Sequence, residues 1–524
     1  MCALLGPAPA RHLAVLLATT VLSSVVATTA PGAEPGSGEP AGAGTFVPSP
    51  LIDPAEDVLR AEPSGSTSLR PMLLVGNNWD GTVDVFDPHT LEGVGQLNVA
   101  PDFDEVVANM SPDQLTARQL NNEFAAEGHD QLVDDIRMSL DGRTLYASRP
   151  SLGDAIAMDM TTGEVIWRTP VTLYRSDHLA LSPDGSELLV SSTIGKVIEV
   201  LDTKTGAIID QIPTGDFPHE NEYSHDGELI FNGSIGRVIT PDNQILDVTK
   251  GDRVFTIADA DTHEVIKQIT FDRGVRPYIV MGDNRTAYIQ LSFFHGFIEY
   301  DLQTEQVLNT VHLPLSEEAQ NTPLEDYPLD SAHHGIAMNG DETKICDAGT
   351  VSDYVAIVDR STLAVDKIIP VGGKPYWAVS SADGELCFVA NSDTDDVSVI
   401  SYDEEAEIAR LPVGDHPQRM RMLPMIVPNL QVSVKPRRVE RGERERVKVK
   451  ITAAGTGILE GANGAGGPVA GATVRIGGKT ATTNADGIAK IRGRFRKKGK
   501  LKVAADASGY AGGDSKLRVR RSRS

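Results

Sequence analysis

Between residues 70 and 424 apolar and polar positions alternate in short runs with a period of two, broken every few residues by turn formers. That periodicity predicts half-buried strands rather than helices. Four runs share a Ser-x-Asp-Gly turn flanked by apolar residues, at 139–142, 182–185, 224–227 and 381–384. Each reads as strand, Asp-Gly turn, strand. Degenerate copies lie around Asp283 and Asp341. The anchoring residues Asp141, Asp184, Asp226, Asp283, Asp341 and Asp383 are separated by 43, 42, 57, 58 and 42 positions. The base period is near 42, and the two long gaps hold insertions. After each hairpin comes a run such as 197–206, 355–363 or 83–91, which ends in a polar turn before a fourth strand. Four strands per repeat is the pattern of a propeller blade. Six blades follow the aspartates. A seventh is split, with 417–423 supplying the inner strand that 70–99 lacks.

These units, Ser-Pro-Asp-Gly at 182–185, Val-x-Val-hydrophobic-Asp-x-x-Thr at 83–90 and Val/Thr-Gly-x-x-Pro at 214–218, 371–375 and 413–417, resemble YVTN-type β-propeller repeats over about 70–423. The resemblance implies a seven-bladed propeller and no particular activity. Its relatives include surface-layer proteins, lactonase-like enzymes and the propeller parts of quinoprotein amine dehydrogenases and nitrous oxide reductases. The chain departs from the last two: it has neither a Cys/His/Met copper motif nor a haem Cys-x-x-Cys-His.

From residue 429 the period changes to alternating strands with glycine turns, which implies a small β-sandwich. Pro-Val-x-Gly-Ala-x-Val at 468–474 with Thr-Asn-x-Asp-Gly at 483–487 resembles bacterial Ig-like and carboxypeptidase-regulatory-like domains. The fold expected is therefore all-β, a seven-bladed propeller at 70–424 followed by a basic Ig-like sandwich and tail at 429–524.

Composition adds compartment and charge. Residues 1–30 read as a secretory signal, with Arg11 ahead of an apolar run at 13–26 and small residues after it. Residues 31–69, rich in Pro, Gly, Ala and Ser, read as a linker. An exported protein is expected, with no transmembrane segment after cleavage, monomeric and associated with the cell surface. The 524 residues carry a net charge of −25. Residues 429–524 hold 23 Lys+Arg against 7 Asp+Glu, and the remainder 25 against 66. The basic segment suits an anionic cell-wall polymer; nucleic acid is not the expected partner, because interleaved aromatics are missing. Cys346 and Cys387 lie one position out of register in neighbouring repeats, so they are expected to face opposite sides, without a disulfide.

No sequential catalytic motif is present. Candidate chemistry comes from the starts of the innermost strands, which converge on one mouth of the channel. They hold Asp134 and Asp135, Asp177 and His178, His219 and Glu220, Arg276 and Tyr278, His333 and His334, Tyr376 and Trp377, and His416 and Arg419. Five of the eleven histidines beyond residue 30 fall there, whereas His89, His129, His225, His263, His295 and His312 are assigned to turns or surfaces. Imidazoles suit Cu, Zn, Fe or Ni, so His178, His219, His333, His334 and His416 are candidate ligands. Glu220 and Asp177 are the candidate base or orienting carboxylates. Asp135, Arg276, Tyr278, Tyr376, Trp377 and Arg419 are candidate ligand-binding residues, the arginines for an anionic group and the aromatics as a stacking wall. Lys374 is a further candidate for the anion. Two classes follow. One is a protein binding a small-molecule ligand at the mouth; the other is a metal-dependent oxidoreductase or lyase using the same cluster. The acidic stretches 102–130 and 314–330 are expected to lie over a mouth, the first with a helix near 114–126.

Overall fold

The computed structural model describes residues 67–238, 247–454 and 466–521. The expected signal at 1–30 and nearly all of the expected linker at 31–69 lie outside the described residues.

The repeat folds as its turns dictate. In Ser182-Pro-Asp-Gly the Ser182 hydroxyl donates to Asp184 at 2.7 Å and accepts the Glu187 N–H at 2.9 Å, while Gly185 takes φ +74°. Only glycine adopts that backbone without cost, and the aspartate side chain bonds its own turn. The pattern recurs at Ser139, Ser224 and Ser381. At the next turn Asp202 accepts from the N–H groups of Lys204 and Thr205, as Asp159, Asp259 and Asp359 do in their blades. The most repetitive polar residues of the chain are therefore turn chemistry.

Seven four-stranded antiparallel sheets result. Their inner strands are Pro417–Pro428, Asp135–Met138, Ser176–Leu181, Pro218–Tyr223, Val275–Val280, Ile336–Met338 and Pro375–Ser380, here blades 1 to 7. Each inner strand contacts the next and the seventh contacts the first, so the ring is closed and propeller-like. Closure is made by Pro417–Pro428 pairing with Thr67–Asn77 along its length, from Thr67 opposite Pro428 to Asn77 opposite Pro417. The closing strand is longer than the 417–423 expected, and Leu430–Lys435 begins two residues after it. Apolar side chains fill the spaces between blades; one such core joins Val355 and Ile357 of blade 6 to Val389 and Ile400 of blade 7.

That same core holds a disulfide, Cys346–Cys387, with Cα atoms 6.7 Å apart. The register reading was correct and the inference from it was not. The two cysteines do occupy opposite faces of their own sheets. Neighbouring blades, however, stack with the front of one against the back of the next, so opposite faces are the ones that meet.

After the ring, a three-stranded sheet (Leu430–Lys435, Arg444–Ala453, Ile488–Arg494) packs on a five-stranded one around Val447, Val449, Ile476, Ile491, Val503 and Leu517. The turn at 508–511 rests on blade 1. Ser508 bonds Glu92 and Thr90, the Tyr510 carbonyl accepts from Arg70 at 2.7 Å, and Ala511 enters the blade core.

The first insertion forms two helices, Phe103–Ala108 and Pro112–Phe124, the second opened by a capping box between Ser111 and Gln114. The second insertion, 314–330, holds only short 3₁₀ turns.

Because Cys346 and Cys387 tie adjacent blades across 41 residues, a Cys346→Ser/Cys387→Ser variant should lose about 4 kcal/mol of stability. Non-reducing peptide mapping should find these two residues joined, with the variant melting lower than the parent.

Candidate functional site

The strand starts do converge, but on a smaller set than expected. His178 (blade 3), His219 (blade 4) and His334 (blade 6) meet in the channel, each buried. The His178 and His219 rings are 4.0 Å apart between centroids, and those of His219 and His334 are 5.2 Å apart. His334 Nδ1 lies 2.8 Å from the Tyr376 carbonyl, to which it donates. This fixes its tautomer and leaves the Nε2 lone pair 3.4 Å from His219 Nε2. Asp177 stands beside them; its donor atoms and those of His178 and His219 fit within 4.8 Å of one another.

Arg419 enters this group from the closing strand. Its Nε–H donates to His178 Nε2 at 2.9 Å, and its Nη2 faces the Nε2 atoms of both His178 and His219. Burial holds all three imidazoles well below the usual histidine range; Arg419 adds to this for His178 and His334, and His334 for His219. They are neutral, the form that ligates metals. Burial, reinforced by Asp177, pushes Asp134 well above the usual carboxylate range. Arg175 donates to Asp177 at 2.7 Å and to Asn121 of the second insertion helix at 2.8 Å. Asp134, Arg175, Asp177, His219, Tyr376 and Arg419 line a narrow pocket with room for about one water.

Of the remaining candidates, His333, His416 and Lys374 lie elsewhere, while Tyr376 and Trp377 pack against the histidines. His333 is not with the three histidines: consecutive residues of an extended segment point oppositely, and its Nδ1 sits 2.5 Å from Asp347, with His295 edge-on at 5.6 Å. His416 is not there either; it stacks on Trp79, whose other face carries His129. Trp377 is held between Arg419 and Arg421, and Tyr376 between His334 and Lys374. Their faces are already used, so neither offers a stacking wall. Lys374 itself pairs with Glu127 of the insertion rather than facing the pocket.

Arg276 is buried, bonds Ser292 at 3.0 Å and the Leu329 carbonyl, and keeps Nη1 without a partner. The second insertion thus reaches the mouth as the first does. Deeper in the channel, the Glu220 carboxylate accepts the Tyr278 N–H at 3.3 Å, and burial raises it to about 7. Two histidines placed on the surface from sequence are packed. His295 bonds the Tyr327 hydroxyl at 2.9 Å, and His263 lies between Asp210 and Glu187.

Sequence reasoning missed Arg175, Gln418 and Arg421. Arg421 follows Arg419 by two, so strand alternation alone puts it in the channel. There it grips Asp135 through two bonds, at 3.0 and 2.8 Å, while Arg137 donates to the same carboxylate at 3.0 Å. Burial by itself would raise Asp135; Arg137 and Arg421 overcome it and hold the group down to about 2. Its folded value lies below its unfolded one, so this stabilisation is full above pH 4 and is lost as pH falls towards 2. Asp135→Asn should cost about 3–5 kcal/mol at pH 7 by leaving buried arginines unpaired. Denaturation at stepped pH should show the gap to the parent closing between pH 4 and 2.

No family model matches the chain, and no curated protein matches it. Among solved structures it is similar to the hydrazine synthase of Kuenenia stuttgartiensis, with 16% identity and a TM-score of 0.45, covering 62% of this chain and 96% of that one.

Proposed function

We propose that this is an exported propeller protein that binds a transition metal ion at its channel mouth, on His178, His219 and His334 with Asp177. The observation that carries the reading is the 3.4 Å between His219 Nε2 and His334 Nε2. Two nitrogens each about 2.0–2.1 Å from a tetrahedral ion stand about 3.4 Å apart. Without a metal, the same approach is an N–H···N hydrogen bond from His219 to the His334 lone pair; a bound cation would take the place of that proton. The Asp177, His178 and His219 donors lie within reach of one ion and His334 Nε2 adjoins them through His219, a nitrogen-rich set that suits Cu, Zn, Fe or Ni. His334 already has the backbone acceptor that orients a ligand imidazole. His178 Nδ1 and His219 Nδ1 have no protein partner and are left for water.

Arg419 bears on the same reading. Its guanidinium lies against two of the donor nitrogens, so it competes with a metal and must withdraw when one binds. With Arg276 it also supplies positive charge for a small anionic ligand beside the metal, of a few atoms at most given the pocket. The disulfide supports export, since such bonds persist in oxidising compartments. The basic C-terminal unit, Ig-like in its sequence pattern, would hold the protein to an anionic surface.

Elemental analysis of the exported protein, purified without chelator or affinity histidines, tests the reading. Near-stoichiometric Cu, Zn, Fe or Ni is expected, lost in His178→Ala/His219→Ala while circular dichroism is unchanged. Arg419→Gln should bind the same metal at least tenfold more tightly. No metal after reconstitution, or metal retained by the double variant, overturns it.

A further inference from the structure

The three-stranded sheet of the C-terminal unit has an outward face made of cations. Arg444, Arg446, Lys448 and Lys450 alternate along one strand with buried Val447 and Val449. On the neighbouring strand Arg494, Arg492 and Lys490 stand directly opposite Arg444, Arg446 and Lys448. On the other side Lys435 also stands opposite Lys448. Eight exposed cations thus form rows about 5 Å apart across strands and about 7 Å apart along them. Like charges directly opposite one another destabilise a sheet, and here three such pairs follow in succession, with a fourth across the central strand. Among the described residues none of the eight has an ion-pair partner; the only salt bridge of the unit is Arg475–Asp506, on the other sheet. The acidic propeller does not cover this face either, because it meets the unit through the 508–511 turn.

We infer that this face is a binding site for an extended phosphate polymer other than nucleic acid, a linear chain whose successive phosphates lie along the cation rows. The arginines form one end of the face, where Arg444 and Arg446 stand opposite Arg494 and Arg492, and their planar forks match phosphate oxygens two at a time. A flat, rigid array of fixed spacing suits a repeating linear polyanion better than a single small anion. A lipid surface fits less well: the described residues of 429–521 expose no large apolar side chain to insert. Single-stranded nucleic acid fits less well too, since Phe495 and Tyr510 are buried and offer no base a face to stack on. The inference deepens the anchoring part of the proposed function and is independent of the metal.

Binding of the full exported chain to long-chain inorganic polyphosphate, measured across salt concentrations, tests it. Arg444→Gln/Arg446→Gln/Arg492→Gln/Arg494→Gln should weaken binding at least 30-fold at 0.1 M salt. It should also lower the slope of log K against log salt by about 3. Its melting temperature should be equal or higher, because repelling pairs are removed. An equal charge change on the other sheet, Lys500→Gln/Lys502→Gln/Lys516→Gln/Arg518→Gln, should alter affinity less than threefold. In the parent, polyphosphate should shield Lys435, Lys448 and Lys490 from acetylation more than Lys500, Lys502 and Lys516. Equal losses in the two variants, unselective shielding, or tighter binding to phosphatidylglycerol vesicles or to DNA at matched charge would overturn the assignment to this face. No binding of the parent to any of these polyanions would overturn the anchoring reading itself.

Discussion

Ring closure by Pro417–Pro428 against Thr67–Asn77 is the contact on which the rest depends. It joins the two ends of the propeller and removes the exposed sheet edges that an open ring would leave. The same strand brings Arg419 to His178 and Arg421 to Asp135. The centre of the channel is therefore complete only when the ring is closed. An open ring would leave Asp135 without Arg421 and Trp377 without the two guanidiniums that cover its faces.

The mouth concentrates groups that are costly to bury. Arg175, Arg276 and Arg419 share it with Asp134, Asp177 and three neutral imidazoles, and several of their polar atoms have no protein partner. A fully satisfied network would read as a structural plug. This one is incomplete on the side facing the pocket, where both insertions arrive through Asn121 and Leu329. Incompleteness at a rigid, narrow mouth is what an ion or a small ligand would relieve.

The repeat was legible because its turn chemistry is local: Ser-x-Asp-Gly writes the hairpin within a few residues, and the 42-residue spacing counts the blades. The histidine convergence was legible because every inner strand starts at the same rim. What failed was direction. His333 and His334 are adjacent, so a one-residue window cannot say which of them faces the axis; pairing with Asp347 takes His333 away. His416 precedes its strand by one residue and turns out to Trp79. Cys346 and Cys387 were placed on the right faces, but the stacking of blades, a relation between sheets, decided that those faces meet. The cation rows of the C-terminal sheet were visible only as net charge, since their alignment depends on a register that no local motif sets.

The proposed metal would sit where Arg419 now meets His178 and His219. Anomalous diffraction at the absorption edge of the metal found in the exported protein tests it most directly. A single peak within about 2.0–2.1 Å of imidazole nitrogens of His178, His219 and His334, with Arg419 displaced, is the expected result. A metal-loaded crystal with Arg419 still bonded to His178 and the anomalous peak elsewhere would contradict it.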